Sequence, residues 1–170
     1  LAISVPSSCT LSSLINGEHS RSILNGTYES GIGQSIITTY CNDRNGYVVY
    51  AIGSSNNELG NNKLISNIND NTNNYDIVSG TATSGTTSNW AMKLTKVTDT
   101  AQSYNPEALT IENNYDDYNV IPDTYTKVAY RTTATDIGTG AQGANFTTNY
   151  AVYASTSQPA GTYTGKVKFT

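Results

Sequence analysis

Alternate residues of the carboxyl-terminal stretch TYTGKVKFT fall into two chemical sets, with Tyr163, Gly165, Val167 and Phe169 on one side and Thr162, Thr164, Lys166 and Lys168 on the other. A strand turns successive side chains to opposite faces, whereas a helix repeats every 3.6 residues or so, which makes this a strand with one face on a core and one in water. The same period recurs upstream. FTTNYAVYA sets Phe146, Tyr150 and Val152 on one face, and NWAMKLTKV sets Trp90, Met92 and Leu94 against Lys93 and Thr95. YTKVAYR alternates Val128 and Tyr130 against Lys127, Ala129 and Arg131. SIITTYC and GYVVYAIG flank Asn42 to Asn45, and the second is almost wholly apolar, as a central strand covered on both faces requires.

With KLISNI, YDIVS and EALTIE as shorter candidates, the count reaches about nine or ten strands separated by Gly- and Asn-rich turns, the pattern of a two-sheet sandwich. Pro159 and Gly161 mark a turn between the last two long strands, which predicts an antiparallel hairpin with a loop longer than the tight two-residue type. Short helices are conceivable only at Leu11 to Ile15 or Pro106 to Leu109. Asn56 to Asn74 and Glu112 to Asp123 are the most polar stretches and predict surface loops. Gly31 to Gly33 and Gly138 to Gly143 predict turns, because neither has the strand-to-helix setting of a phosphate-binding loop. At 170 residues the chain suits one domain, 1–170, able to bury about 70% of its unfolded surface. It contains no apolar run of the roughly 18 residues that a membrane-spanning helix needs.

Composition narrows the function. Charged residues are 13% of the chain and the net charge is -4, so Ser, Thr, Asn and Gly must carry solubility. The nine Lys and Arg residues are scattered, which argues against nucleic acid and against a polybasic membrane patch. The chain begins LAISVP, which suits a mature form released by signal peptidase, although a boundary within a longer chain suits it equally. Cys9 and Cys41 fit one disulfide in an oxidising compartment, with free thiols as the alternative. The lone His19 leaves two thiols without the further soft ligands that a metal centre requires.

The same histidine is the only one available as a general base, and it lies in a polar turn-like segment with no nucleophile motif beside it, so no catalytic residue is assigned and no enzyme is expected. No cofactor fingerprint is present. Two loops concentrate oxygen ligands: Asn69, Asp70 and Asp76 in NDNTNNYD, and Glu112, Asp116 and Asp117 in ENNYDDYN. They are candidate ion or ligand loops, weighed against plain solvated turns, because the first lacks the Gly and Glu of a calcium-binding loop. Trp90 and the 13 tyrosines invite a sugar-stacking reading, but Trp90 is in phase with Met92 and Leu94 and so belongs to the core. Asn25 and Asn145 head glycosylation acceptor patterns, and Lys93 and Lys127 are candidates for a spontaneous isopeptide crosslink.

Two segments together resemble bacterial pilus subunits of the chaperone-usher type and the related spore coat U-like domains, and similar signatures occur in secreted surface proteins of ultra-small bacteria. The first is CTLSSLINGEHSRSILNGTYESGIGQSIITTYC, and the second is NYAVYASTSQPAGTYTGKVKFT, which looks like that family's closing hairpin. The resemblance spans a minor part of the chain, and the middle from about Asn56 to Asp123 has no counterpart in it. It implies an all-β, immunoglobulin-like (pilin-like) antiparallel sandwich with one disulfide joining the first strand to the end of the second. It also implies an incomplete sheet completed by a neighbour's strand. LAISV suits a donor, since Leu1, Ile3 and Val5 share one face and Pro6 ends the pairing, with Val167 and Phe169 on the closing strand. Residues 1–8 are then an extension, although pairing of that segment within its own domain fits the pattern as well. The expected function is that of a structural or adhesive subunit of an extracellular fibre, pilus or cell surface, whose partners are copies of itself and glycans or proteins of a host or neighbouring cell. The competing expectation is a monomeric secreted module that binds a glycan or protein through its polar loops.

Overall fold

The computed structural model describes residues 2–4, 6–13, 19–96, 109–112, 114–135 and 143–170. They form eleven strands: β1 (Cys9–Ser13), β2 (Thr27–Cys41), β3 (Tyr47–Gly53), β4 (Ile65–Ser66), β5 (Val78–Ser79), β6 (Asn89–Lys96), β7 (Thr110–Ile111), β8 (Thr126–Arg131), β9 (Ala144–Ala154), β10 (Tyr163–Thr164) and β11 (Val167–Phe169). The regular helical structure among them is one short 3-10 turn at Ser55–Asn57. A five-stranded sheet runs β1-β2-β9-β6-β5, a four-stranded sheet runs β11-β3-β8-β7, and β10 pairs with β4 in a small third sheet. Pairing is antiparallel apart from the two-residue parallel contact of β5 with β6. The sheets form a sandwich-like arrangement, as the alternation predicts.

Between the layers lie the inward phases of the strands. Ile37 of β2, Trp90, Met92 and Leu94 of β6, and Phe146 and Val152 of β9 meet Val49 and Ala51 of β3 and Val128 and Ala129 of β8 in one buried cluster. The Phe146 ring meets Phe169 edge-on at 5.8 Å, tying the central strand of one sheet to the edge of the other. The indole of Trp90 is core, as expected, and its N–H donates to the Asn62 carbonyl at 2.8 Å.

Several expectations change. FTTNYAVYA and the last strand do not form a hairpin, because β9 lies between β2 and β6 while β11 pairs with β3 in the opposite sheet. The loop holding Pro159 and Gly161 therefore crosses between layers. The final alternating stretch is one phase but two strands. At Gly165 an added Cβ would lie 2.6 Å from the Leu64 side chain and 3.1 Å from the Trp90 ring, so the chain passes this point only without a side chain. GYVVYAIG is central in its sheet, yet Val48 and Tyr50 are each 40% exposed, so only one face of its first half is covered. Gly31 and Gly33 are not turns. They have φ of +66° and +67° inside β2, where the register with β9 shifts on either side of Ile32, which makes them β-bulge residues. Leu11 to Ser13 belong to β1, not to a helix, and the rest of that helical candidate, like Pro106 to Ala108, lies outside the described residues.

The stretch from Glu112 to Asp123 departs furthest from a surface loop. Tyr115 is 5% and Ile121 0% exposed, and Met92 and Asn119 exchange both backbone hydrogen bonds at 3.0 and 2.9 Å. Leu94 N–H also donates to the Tyr115 carbonyl at 2.7 Å. The segment thus runs beside β6 as an irregular antiparallel strand.

Candidate functional site

Cys9 and Cys41 face each other in the register of β1 with β2, and their sulfurs are bonded at 1.96 Å. Closing this loop constrains the unfolded chain by roughly 3–4 kcal/mol in the entropic description. Next to it, Asn42 acts as a clamp on the preceding chain. Its carbonyl oxygen accepts from Ser8 N–H at 2.6 Å, its amide donates to the Pro6 carbonyl at 3.1 Å, and its backbone N–H donates to the Ser8 carbonyl at 3.1 Å. Ala2 to Ser4 and Pro6 to Ser8 are exposed and in no strand, and Ile3 is 78% exposed. Leu1 and Val5 lie outside the described residues.

Val167 and Phe169 sit on β11, an edge of the four-stranded sheet. Thr170 and Tyr50 exchange backbone hydrogen bonds at 2.8 and 3.0 Å, and Ser54 N–H donates to the Lys166 carbonyl at 3.0 Å. Because bonding alternates along an antiparallel strand, the N–H and C=O groups of Val167 and Phe169 point away from β3, toward the open edge. The side chains of the same two residues pack on the core.

The two oxygen-rich loops are organised differently from ion sites. Asp70 accepts from Thr72 N–H at 2.8 Å, from the Asn73 amide at 3.0 Å and from the Tyr75 hydroxyl at 3.0 Å. These bonds, the Asn73 amide foremost, hold its carboxyl at about 2, below the ordinary 3.8. Asp76 accepts from Ser66 N–H at 2.9 Å, and the exposed Asn69 stands at the loop's start. The Asp70 carboxylate is therefore occupied within its own loop, and one oxygen of Asp76 ties the end of that loop to β4. In the second loop, Glu112 pairs with Lys127 at 2.5 Å, Asp117 stands 4.0 Å from Lys93, and Asp116 is exposed. Among the described residues, no three His, Cys, Asp or Glu side chains gather as a metal site would require.

The Glu112 hydrogen bond raises the Lys127 pKa against the opposing effect of desolvation, which keeps the ammonium protonated and disfavours it as a crosslinking nucleophile. His19 is exposed as expected, but not free of contacts. Its Nε2 lies 3.1 Å from the Ser35 hydroxyl, and its ring covers Gly33, where a side chain would collide with it. Asn25 is exposed at a turn, whereas Asn145 lies in the middle strand of its sheet, half-buried, with its side-chain oxygen buried and, among the described residues, without a partner.

One cluster was not singled out by sequence pattern. Gln34 of β2, Asn149 of β9 and Lys93 of β6 are successive register partners across three strands, and Thr147 and Thr95 pair in the next row. With Tyr118 at the rim they line an open depression of about 310 Å³ on the outer face of the five-stranded sheet. The signal available in sequence was Thr147 and Asn149, polar residues in the outward phase of a strand that turns out to be central. No family model, no curated protein and no solved structure matches this chain.

Proposed function

We propose that the chain is a structural or adhesive subunit of an extracellular fibre or cell surface, assembling by strand complementation. The observation that carries this reading is the amino-terminal extension, which leaves the Asn42 clamp at Pro6 and carries Ile3 into solvent outside every strand. A single exposed apolar side chain is ordinary. Alternating Leu1, Ile3 and Val5 ahead of a proline, however, give a segment that buries one face only when it lies along a sheet. The open edge of β11 supplies what such a segment needs, backbone groups of Val167 and Phe169 directed outward beside a hydrophobic core. The disulfide beside the clamp fixes the point from which the donor leaves, and it accords with an oxidising, extracellular setting.

Negative-stain electron microscopy of the purified chain and of a variant lacking Leu1 to Val5 tests this directly. Filaments from the full chain and none from the variant are expected. Filaments that persist without those five residues reject strand donation. Uniform 18.2 kDa particles from the full chain under all conditions point instead to a monomeric secreted binding module.

A further inference from the structure

The outer face of the five-stranded sheet carries more polar groups than the bonds they make with one another. Asn149 is 8% exposed, yet the one hydrogen bond of its amide among the described residues is to the Thr95 hydroxyl at 3.5 Å, the outer limit for such a bond. Burying an amide so loosely bonded is unfavourable unless water or a ligand completes its bonds. Gln34 is its exposed row partner on β2, and Lys93 on β6 stands 4.0 Å from Asp117, a long contact with a carboxylate that is itself 84% exposed. Neighbouring strands lie about 4.8 Å apart, so this row offers donors and acceptors at intervals on the scale of a sugar ring.

Tyr118 at the rim is anchored at its hydroxyl and along its ring. Tyr118 accepts a hydrogen bond from Gly31 N–H at 2.8 Å, packs against Ala82, Ala91 and Ala151, and presents its ring 5.8 Å from the Lys93 ammonium. The chemistry of this lining selects a ligand class. Its single cation is offset by Asp117, so it does not favour anions. Its amides and hydroxyls both donate and accept, as the vicinal hydroxyls of a sugar do, and a fixed phenol ring beside them suits the C–H face of a pyranose. At about 310 Å³ and open to solvent, the depression accommodates exposed units of a chain better than an enclosed small molecule.

We propose that this basin is a saccharide-binding site for neutral pyranose units. Asn149 and Gln34 hydrogen-bond adjacent hydroxyls from the floor, Thr95 and Thr147 continue that line, and Tyr118 lies against a ring face. The basin lies on the five-stranded sheet, on a different layer from β11.

The test is a titration of the isotope-labelled full chain with cellotriose, maltotriose and chitotriose, followed by amide chemical shifts. At least one trisaccharide is expected to shift amides of β2, β6 and β9 around the basin saturably in the millimolar range. Tyr118→Ala and Gln34→Ala should each weaken that binding about tenfold, with the unperturbed remainder of the spectrum reporting an intact fold. Asn149→Ala, at a buried position, should abolish it, and the variants at Tyr118 and Gln34, neither of which is buried, keep the question decidable if that protein fails to fold. The proposal is overturned if none of the three sugars moves these amides, if the shifts map to residues 69–76, or if Tyr118→Ala and Gln34→Ala bind as the parent does.

Discussion

Asp70 is the side chain whose ionisation most directly controls a local structure. Its carboxyl is held at about 2 by the Asn73 amide, then Thr72 N–H and the Tyr75 hydroxyl, and the same Asp70 bond raises the Tyr75 phenol above its usual 10.0. A group whose folded pKa is depressed stabilises the fold fully above its unfolded value and loses that contribution as pH falls through the folded one. The turn at residues 70–75 should therefore be intact above pH 3.8 and open progressively toward pH 2. Amide signals of Thr72 and Asn73 followed by NMR should titrate with a midpoint of about 2, and should show no such step in Asp70→Asn. A midpoint at 3.8 would mean that the carboxylate is free in solution. The sequence marks this loop as oxygen-rich, but whether the oxygens point outward to an ion or inward to their own backbone depends on two or three torsions that composition does not encode. Cys9 and Cys41 were easier to read, since two thiols with no further soft ligand leave few alternatives.

Strand by strand, alternation located β6 and β9 because each has one inward phase, Trp90, Met92 and Leu94 in β6 and Phe146, Tyr150 and Val152 in β9, whereas it found only the second half of β2, whose bulge glycines read as a turn. The same argument missed Tyr115 to Asn119. Its buried residues are too few and its polar ones too many to form a pattern, and the segment pairs with β6 through backbone groups that carry no sequence signal. Tyr115 is the anchor: it is 5% exposed, its hydroxyl donates to the Val120 carbonyl at 3.0 Å, and burial raises its phenol pKa above 10.0. Tyr115→Ala should cost about 3–5 kcal/mol, as for other large aromatic truncations, because it leaves a void under β6. Tyr115→Phe should cost only about 1 kcal/mol, the net worth of one hydrogen bond. Urea denaturation of the two variants checks both values. A Tyr115→Ala loss no larger than that of Tyr115→Phe would return the segment to the status of a surface loop.

For the molecule as a whole, the decisive step is the insertion of β9 between β2 and β6. Thr27 pairs with Ala154 and Asn89 with Tyr153, so the five-stranded sheet stays in two halves until a strand near the end of the sequence arrives. Which strands become neighbours was the least legible property. A short connection favours a hairpin, yet the chain after β9 passes by way of β10 to the other layer, and before it does so Gln158 donates to the Tyr75 carbonyl at 2.8 Å and Tyr163 donates to the Pro159 carbonyl at 2.7 Å. The Gln158–Tyr75 contact joins residues 83 apart in the chain and leaves no trace in local periodicity. Pairings of such separation require loop closure before contacts form, which places refolding on the millisecond-to-second scale of β-rich topologies. They also make the sheet cooperative. The amides of β9 donate into neighbours on both sides, so hydrogen exchange there should proceed only through global unfolding. The edge elements β7 and β10, with two residues each, and the unpaired Ala2 to Ser4 should exchange orders of magnitude faster. Exchange of β9 as rapid as that of β10 would show that β2 and β6 hold together without it, and that the layer is not built around its central strand.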